Sequence, residues 1–135
     1  MRISFFFTNF AANYKLGRLA TFMAKILVVD DERAIRNTLK DILEFEGYTI
    51  DLAENGKVGL EKALANTYDL IYTDIKMPEM DGLEMLQAYR QAVKENGTEE
   101  SPVVMISGHG TVETAVDALK NGAFDFIVKP LDLNR

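Results

Sequence analysis

Four separated places in the chain end in side chains that could do chemistry together. Asp30, Asp31 and Glu32 follow the apolar run "KILVV", Asp74 closes "DLIYTD", Ser107 closes "PVVMIS" and Lys129 closes "FDFIVK". Two unit charges about 4 Å apart cost roughly 4 kcal/mol at an effective dielectric of 20. Carboxylates gathered at one place therefore need a cation or a proton. With no His or Cys among them, the hard oxygen donors Asp30, Asp31 and Asp74 suit Mg²⁺ or Mn²⁺. An ion held by so few carboxylates is completed by water or phosphate oxygens. The loop "DDERA" (30–34) has neither a G-x-G-x-x-G nor a P-loop lysine, which argues against a bound nucleotide. A carboxylate can itself attack phosphorus. Asp74, ending a buried strand opposite the acidic pair, is the candidate nucleophile. The cation, Lys129 and the Ser107 hydroxyl would position and neutralise the transferred group.

Elements that could bring these residues together are legible from periodicity. Apolar runs at 25–30, 69–74, 102–107 and 124–129, and the more alternating 48–53, read as strands. Helical stripes lie between them: Ile35, Leu39, Ile42 and Leu43, then Val58, Leu60, Ala63 and Leu64. Leu83, Leu86, Tyr89 and Val93 form a third, and Val112, Ala115, Val116 and Leu119 a fourth. Gly47, Gly97 and Gly122 stand where helices stop. Strand–helix repeated four times, then a fifth strand, predicts parallel strands joined by right-handed crossovers in an open α/β sheet. Ligands in such sheets bind beyond the carboxyl ends of the strands, where all the residues above fall. The pattern stops before a fifth helix, so one side of the sheet is expected to be short of cover.

Composition narrows the classes. The chain has 135 residues, one domain's worth, with no cysteine, which excludes disulfides, thiol catalysis and zinc–cysteine clusters. A net charge of −6 disfavours non-specific binding to nucleic acid or an anionic membrane. No apolar run reaches the length of about 18 residues that spans a bilayer. Absent cysteine and absent spans fit a cytoplasmic protein. Residues 1–22 differ from the rest: they contain Arg2, Lys15 and Arg18, no acid, and Phe5, Phe6 and Phe7 in a row. Ser4, Thr8 and Asn9 interrupt them too often for a secretory signal. The expected division is an N-terminal extension, residues 1–22, and a domain at 23–135 truncated before helix five.

"ILVVDDE" (26–32), "DLIYTDIKMPEMDGLEML" (69–86), "VVMISGHG" (103–110) and "GAFDFIVKP" (122–130) together resemble the receiver domains of two-component response regulators. The segment from 107 to 132 is most similar to the nitrogen-regulatory class of sigma-54 activators. The resemblance implies a flavodoxin-like, doubly wound sheet of order 2-1-3-4-5. It implies that Asp74 accepts phosphate from a sensor histidine kinase. Asp30, Asp31, Asp74 and the backbone carbonyl of Lys76 would bind Mg²⁺. Ser107 and Lys129 would contact the phosphoryl oxygens, with a cis peptide between Lys129 and Pro130. Ser107 and Phe126 would form the switch that alters the face made by helix four, strand five and helix five. A homodimer is a further partner, and output ATPase and DNA-binding domains are expected in the full-length protein. The outcome would be transcription regulation, with no direct contact of this domain to nucleic acid.

Blander readings stand beside these. Asp31 alone would be a helix cap, Asp81-Gly82 a capping turn, Ser107 an idle strand-end hydroxyl and Lys129 a solvated charge. His109, the single histidine, reads as a loop residue. The alternative function is an aspartyl-phosphate phosphatase of the haloacid-dehalogenase type. Those enzymes resemble D-x-D, whereas here the second position is Lys76.

Overall fold

In the computed structural model, residues 24–108 and 112–128 are described. Five strands, β1 (Lys25–Val29), β2 (Thr49–Ala53), β3 (Leu70–Asp74), β4 (Val103–Ser107) and β5 (Asp125–Val128), alternate with four helices. These are α1 (Arg33–Phe45), α2 (Gly56–Ala65), α3 (Gly82–Asn96) and α4 (Val112–Lys120). All strands pair parallel, in the order β2-β1-β3-β4-β5. This is the order the resemblance implied. No helix among the described residues is long and apolar enough to cross a membrane.

The central strands explain their own hydrophobicity. β3 and β4 are buried at every position, because helices cover both faces of a parallel sheet. One core gathers Ile26, Val28, Tyr72, Val104, Ile106 and Ile127 with Leu39, Ile42 and Leu43 of α1. The other gathers Leu27, Val29, Ile71 and Met105 with the buried faces of α2, α3 and α4. α1 ends at Gly47, where a φ of 99° stops the helix at little cost to glycine. Gly122, also at 99°, does the same beyond α4.

Two helices turn differently from their predicted stripes. In α2 the buried residues are Gly56, Gly59 and Ala63, while Leu64 is exposed. A Cβ on Gly59 would stand 2.9 Å from a methyl of Val29 and 3.1 Å from the sulfur of Met85. The helix therefore lies so close to β1 and α3 that only small residues fit beneath it. In α4, among the residues whose burial is described, Ala118 is the buried one, and Val116 and Leu119 are exposed. In α2, close packing through small side chains has overridden the apolar stripe.

The expected shortage of cover is also not seen. Tyr72, Val104 and Ile106, on the α1 face of the sheet, are fully buried.

Candidate functional site

The register brings the acids together at the carboxyl ends of the strands. Val29 pairs with Thr73, so Asp30, just past the end of β1, comes beside Asp74, the last residue of β3. Asp30 continues the ladder by donating its N–H to the Ala53 carbonyl at 3.1 Å. Its side chain is wholly buried, and its Oδ1 accepts the Glu32 N–H at 2.9 Å. Arg36 Nη1 donates to the Asp30 carbonyl at 2.7 Å, pinning the turn that leads into α1. Asp31 and Glu32 are exposed on that turn. The N-cap of α1 is Glu32, whose side chain makes no capping bond, so Asp31 is not the cap.

Asp74 is 5% exposed, and its Oδ1 accepts the Ile75 N–H at 2.8 Å. Thr73 Oγ1 donates to the Asp74 carbonyl at 2.9 Å. The loop after β3 is then folded back tightly. Gly82 N–H donates to the Ile75 carbonyl at 2.7 Å, and a Cβ on Gly82 would stand 2.3 Å from the Asp74 carbonyl oxygen. Only glycine permits this approach of α3 to the end of β3. Asp81 caps α3 by accepting the Glu84 N–H at 2.8 Å, and Glu84 answers with the return bond of a capping box. Lys76 lies exposed in the loop so formed.

The carboxylates of Asp30, Asp31 and Glu32 lie within 4.8 Å of one another. That set holds Glu32 where the sequence reading had Asp74, because the turn after Asp30 brings its two successors round to the same point. Asp74 approaches from β3. Burial first, and then the charges of Asp30 and Asp74, push the Tyr72 hydroxyl well above its ordinary pKa. Tyr72 was not singled out from sequence, since a tyrosine inside "DLIYTD" reads as one more strand residue. Its place two positions before Asp74, on the same face, was the available signal. The donor set is all hard oxygen, with no imidazole or thiolate, and fits a divalent cation of the Mg²⁺ kind.

Ser107, at the end of β4, is buried. It pairs in register with Val128, and Met105 pairs with Phe126. Ser107 and Phe126 thus belong to the same face of adjacent strands, one step apart along them. Phe126 is half-buried against the α2–α3–α4 core. Lys129, Pro130 and His109 lie outside the described residues.

Residues 26–135 match the family described as "Response regulator receiver domain". The chain is 44% identical over 112 residues to the nitrogen assimilation regulatory protein NtrX of Azorhizobium caulinodans, covering 82% of this chain and 24% of that protein. It is 40% identical over 111 residues to the response regulator ArlR of Staphylococcus saprophyticus, covering 82% and 48%. The chain therefore spans a quarter to a half of these relatives' lengths. Among solved structures, the response regulator protein TrrA from Thermotoga maritima, in complex with Mg²⁺ and BeF, superposes with a TM-score of 0.70. It is 35% identical, with 83% of this chain and 91% of that one covered.

Proposed function

The chain belongs to the response regulator receiver domain family of two-component signalling, and from that premise we propose that Asp74 is its phosphoacceptor. One observation carries the assignment: β3 ends in a buried carboxylate whose neighbour across the register is Asp30, itself the start of an acidic turn. A bound Mg²⁺ would neutralise charge between these acids and the incoming phosphoryl group. Asp30, Asp31 and Asp74, with the Lys76 carbonyl, would hold it, and Glu32 stands close enough to take part.

The Ile75 N–H orients the Asp74 carboxylate by its bond to Oδ1. A carboxylate oxygen then attacks the phosphorus of a phosphohistidine on a sensor histidine kinase. The P–N bond breaks and its electron pair returns to the imidazole. Asp74 is left as an aspartyl phosphate, with added negative charge and new acceptors at the rim. The Ser107 hydroxyl would turn toward those acceptors and Lys129 would balance them. The chemistry is confined to this one side chain, so the domain acts as a switch rather than a turnover enzyme.

Output then depends on the α4–β5 face, where Phe126 packs. In a full-length protein this face would govern ATPase and DNA-binding domains, and so transcription, in the cytoplasm. The relatives named above are regulators and give no support to the phosphatase alternative. A receiver at 23–135, preceded by an extension at 1–22, accords with a family match that begins at residue 26.

Radiolabelled acetyl phosphate tests the assignment. The chain should take up label in Mg²⁺ and not in EDTA, and Asp74→Asn should take up none. Label on the folded Asn variant equal to that on the parent overturns the proposal.

A further inference from the structure

Parallel strands about 4.8 Å apart make a five-stranded sheet roughly 20 Å wide, while a helix with its side chains is about 10–12 Å across. One helix covers about two strands, so each face needs at least two. α2, α3 and α4 supply one face. On the other, α1 packs on β2 and β1, at the far end of the sheet from β5. Val104 and Ile106 on that face are nonetheless fully buried, and Ile127, on an edge strand, is only 7% exposed. From β1 to β4 and β5 is two or three strand spacings, about 10–14 Å, which is beyond α1's reach. Among the described residues, α1 is the only helix that shares a core with them, which leaves their further cover unassigned.

We propose that residues 1–22 are that cover. The segment docks within its own molecule on Val104, Ile106 and Ile127, in the place of a second layer beside α1. Three properties of the sequence single it out. Phe6, Phe10 and Tyr14 recur at intervals of four, which sets them on one side of a helix; residues 129–135, the other long stretch, offer only Leu131 and Leu133 among charges and a proline. The segment contains Arg2, Lys15 and Arg18, whereas all 21 acids of the chain fall after it. Asp125, exposed and in register with Val104, offers a carboxylate at the border of the seat. Reach is sufficient as well: the segment joins β1 through Met23 and buried Ala24, and 22 helical residues extend about 33 Å. This inference does not depend on the phosphoacceptor assignment.

Because the chain has no cysteine, Asn13→Cys can carry a single spin label in the full-length chain. The amides of Val104, Ile106 and Ile127 should broaden when the label is paramagnetic, and equally so on dilution. A mixture of labelled chains with isotope-enriched, unlabelled chains should show no broadening. Broadening in the mixture would make the occupant a second copy, and none in either sample would assign the face to other residues; both results overturn the proposal. Phe6→Asp combined with Phe10→Asp should cause loss of hydrogen-exchange protection in β5 while β2 keeps its own. Unchanged protection in β5 also overturns it. Should that double variant fail to fold, the spin-labelled chain, which keeps every buried residue, decides the question.

Discussion

Replacing Asp30 by Asn should stabilise the protein without metal and destabilise it, relative to the parent, in saturating Mg²⁺. The side-chain oxygens of Asp30, Asp31 and Glu32 lie within 4.8 Å of one another. At that separation and an effective dielectric of 20, each like-charge pair costs about 3 kcal/mol. Asp31 and Glu32 face solvent, so screening reduces what Asn can recover to about 1–2 kcal/mol for the set. The Asn oxygen can still accept the Glu32 N–H now bonded to Asp30 Oδ1 at 2.9 Å, so the turn should survive. In Mg²⁺ at 100 times its dissociation constant, binding adds about 2.7 kcal/mol to the parent. The variant, short of one carboxylate, should gain little. The order of stability therefore inverts between EDTA and Mg²⁺. Urea titrations in the two buffers read this directly: with a slope of about 1–3 kcal/mol per molar, each difference moves the midpoint by roughly 1 M. A variant less stable than the parent in EDTA, or equally stabilised by Mg²⁺, would refute the electrostatic argument.

Asp81→Ala should cost about 1 kcal/mol, since it removes the Glu84 N–H acceptor and half of a capping box; an unchanged urea midpoint would count against it. Tyr68 donates to Asp51 Oδ2 at 2.7 Å, and burial, with that bond and charge, raises its pKa above the ordinary phenol value. A pKa raised on folding gives stability that is complete below about pH 10 and is lost as pH climbs beyond it. Tyr68→Phe should lose about 1 kcal/mol at neutral pH and decline less steeply above pH 10, as measured by unfolding at a series of pH values; a decline parallel to the parent's would contradict this. Ser107→Ala should still take label on Asp74 from acetyl phosphate, while the chemical-shift change at Phe126 on labelling disappears. A full response at Phe126 would show that the signal takes another route.

The strands were legible because burial on both faces leaves unbroken apolar runs; strand–helix alternation prescribes parallel crossovers but not which strands are neighbours, so their order came from the family resemblance. The acids were legible for a related reason: a carboxylate at the end of such a run has one place to go, the carboxyl rim. What sequence misjudged were facings. Leu64, Val116 and Leu119 look like core residues by type, but Gly59 and Ala118 hold the inward positions, and at Gly59 the helix lies closer to Val29 and Met85 than a larger side chain allows. Glu32 was read as the third of three crowded acids, and its contribution to the 4.8 Å group depends on a turn that only the backbone defines. Tyr72 shows the same limit. Nothing in its type separates a core aromatic from one whose hydroxyl lies under two carboxylates.

The register also constrains how the proposed switch could work. Asp74 pairs with Ile106, so its side chain belongs to the α1 face, with Tyr72 and Val104. Ser107 is the next residue along β4 and alternates to the opposite face, the one that holds Met105 and Phe126. A phosphoryl group on Asp74 would therefore sit across the sheet's edge from the aromatic it has to influence. Only a side chain at the strand's end can reach both sides of that edge, and Ser107 is where β4 ends. Drawing its hydroxyl toward the rim would take volume from the Phe126 side while adding charge on the other. In a closely packed interior, space given up in that way is refilled by a neighbour, and Phe126, half-buried on the edge strand, is the neighbour with room to move.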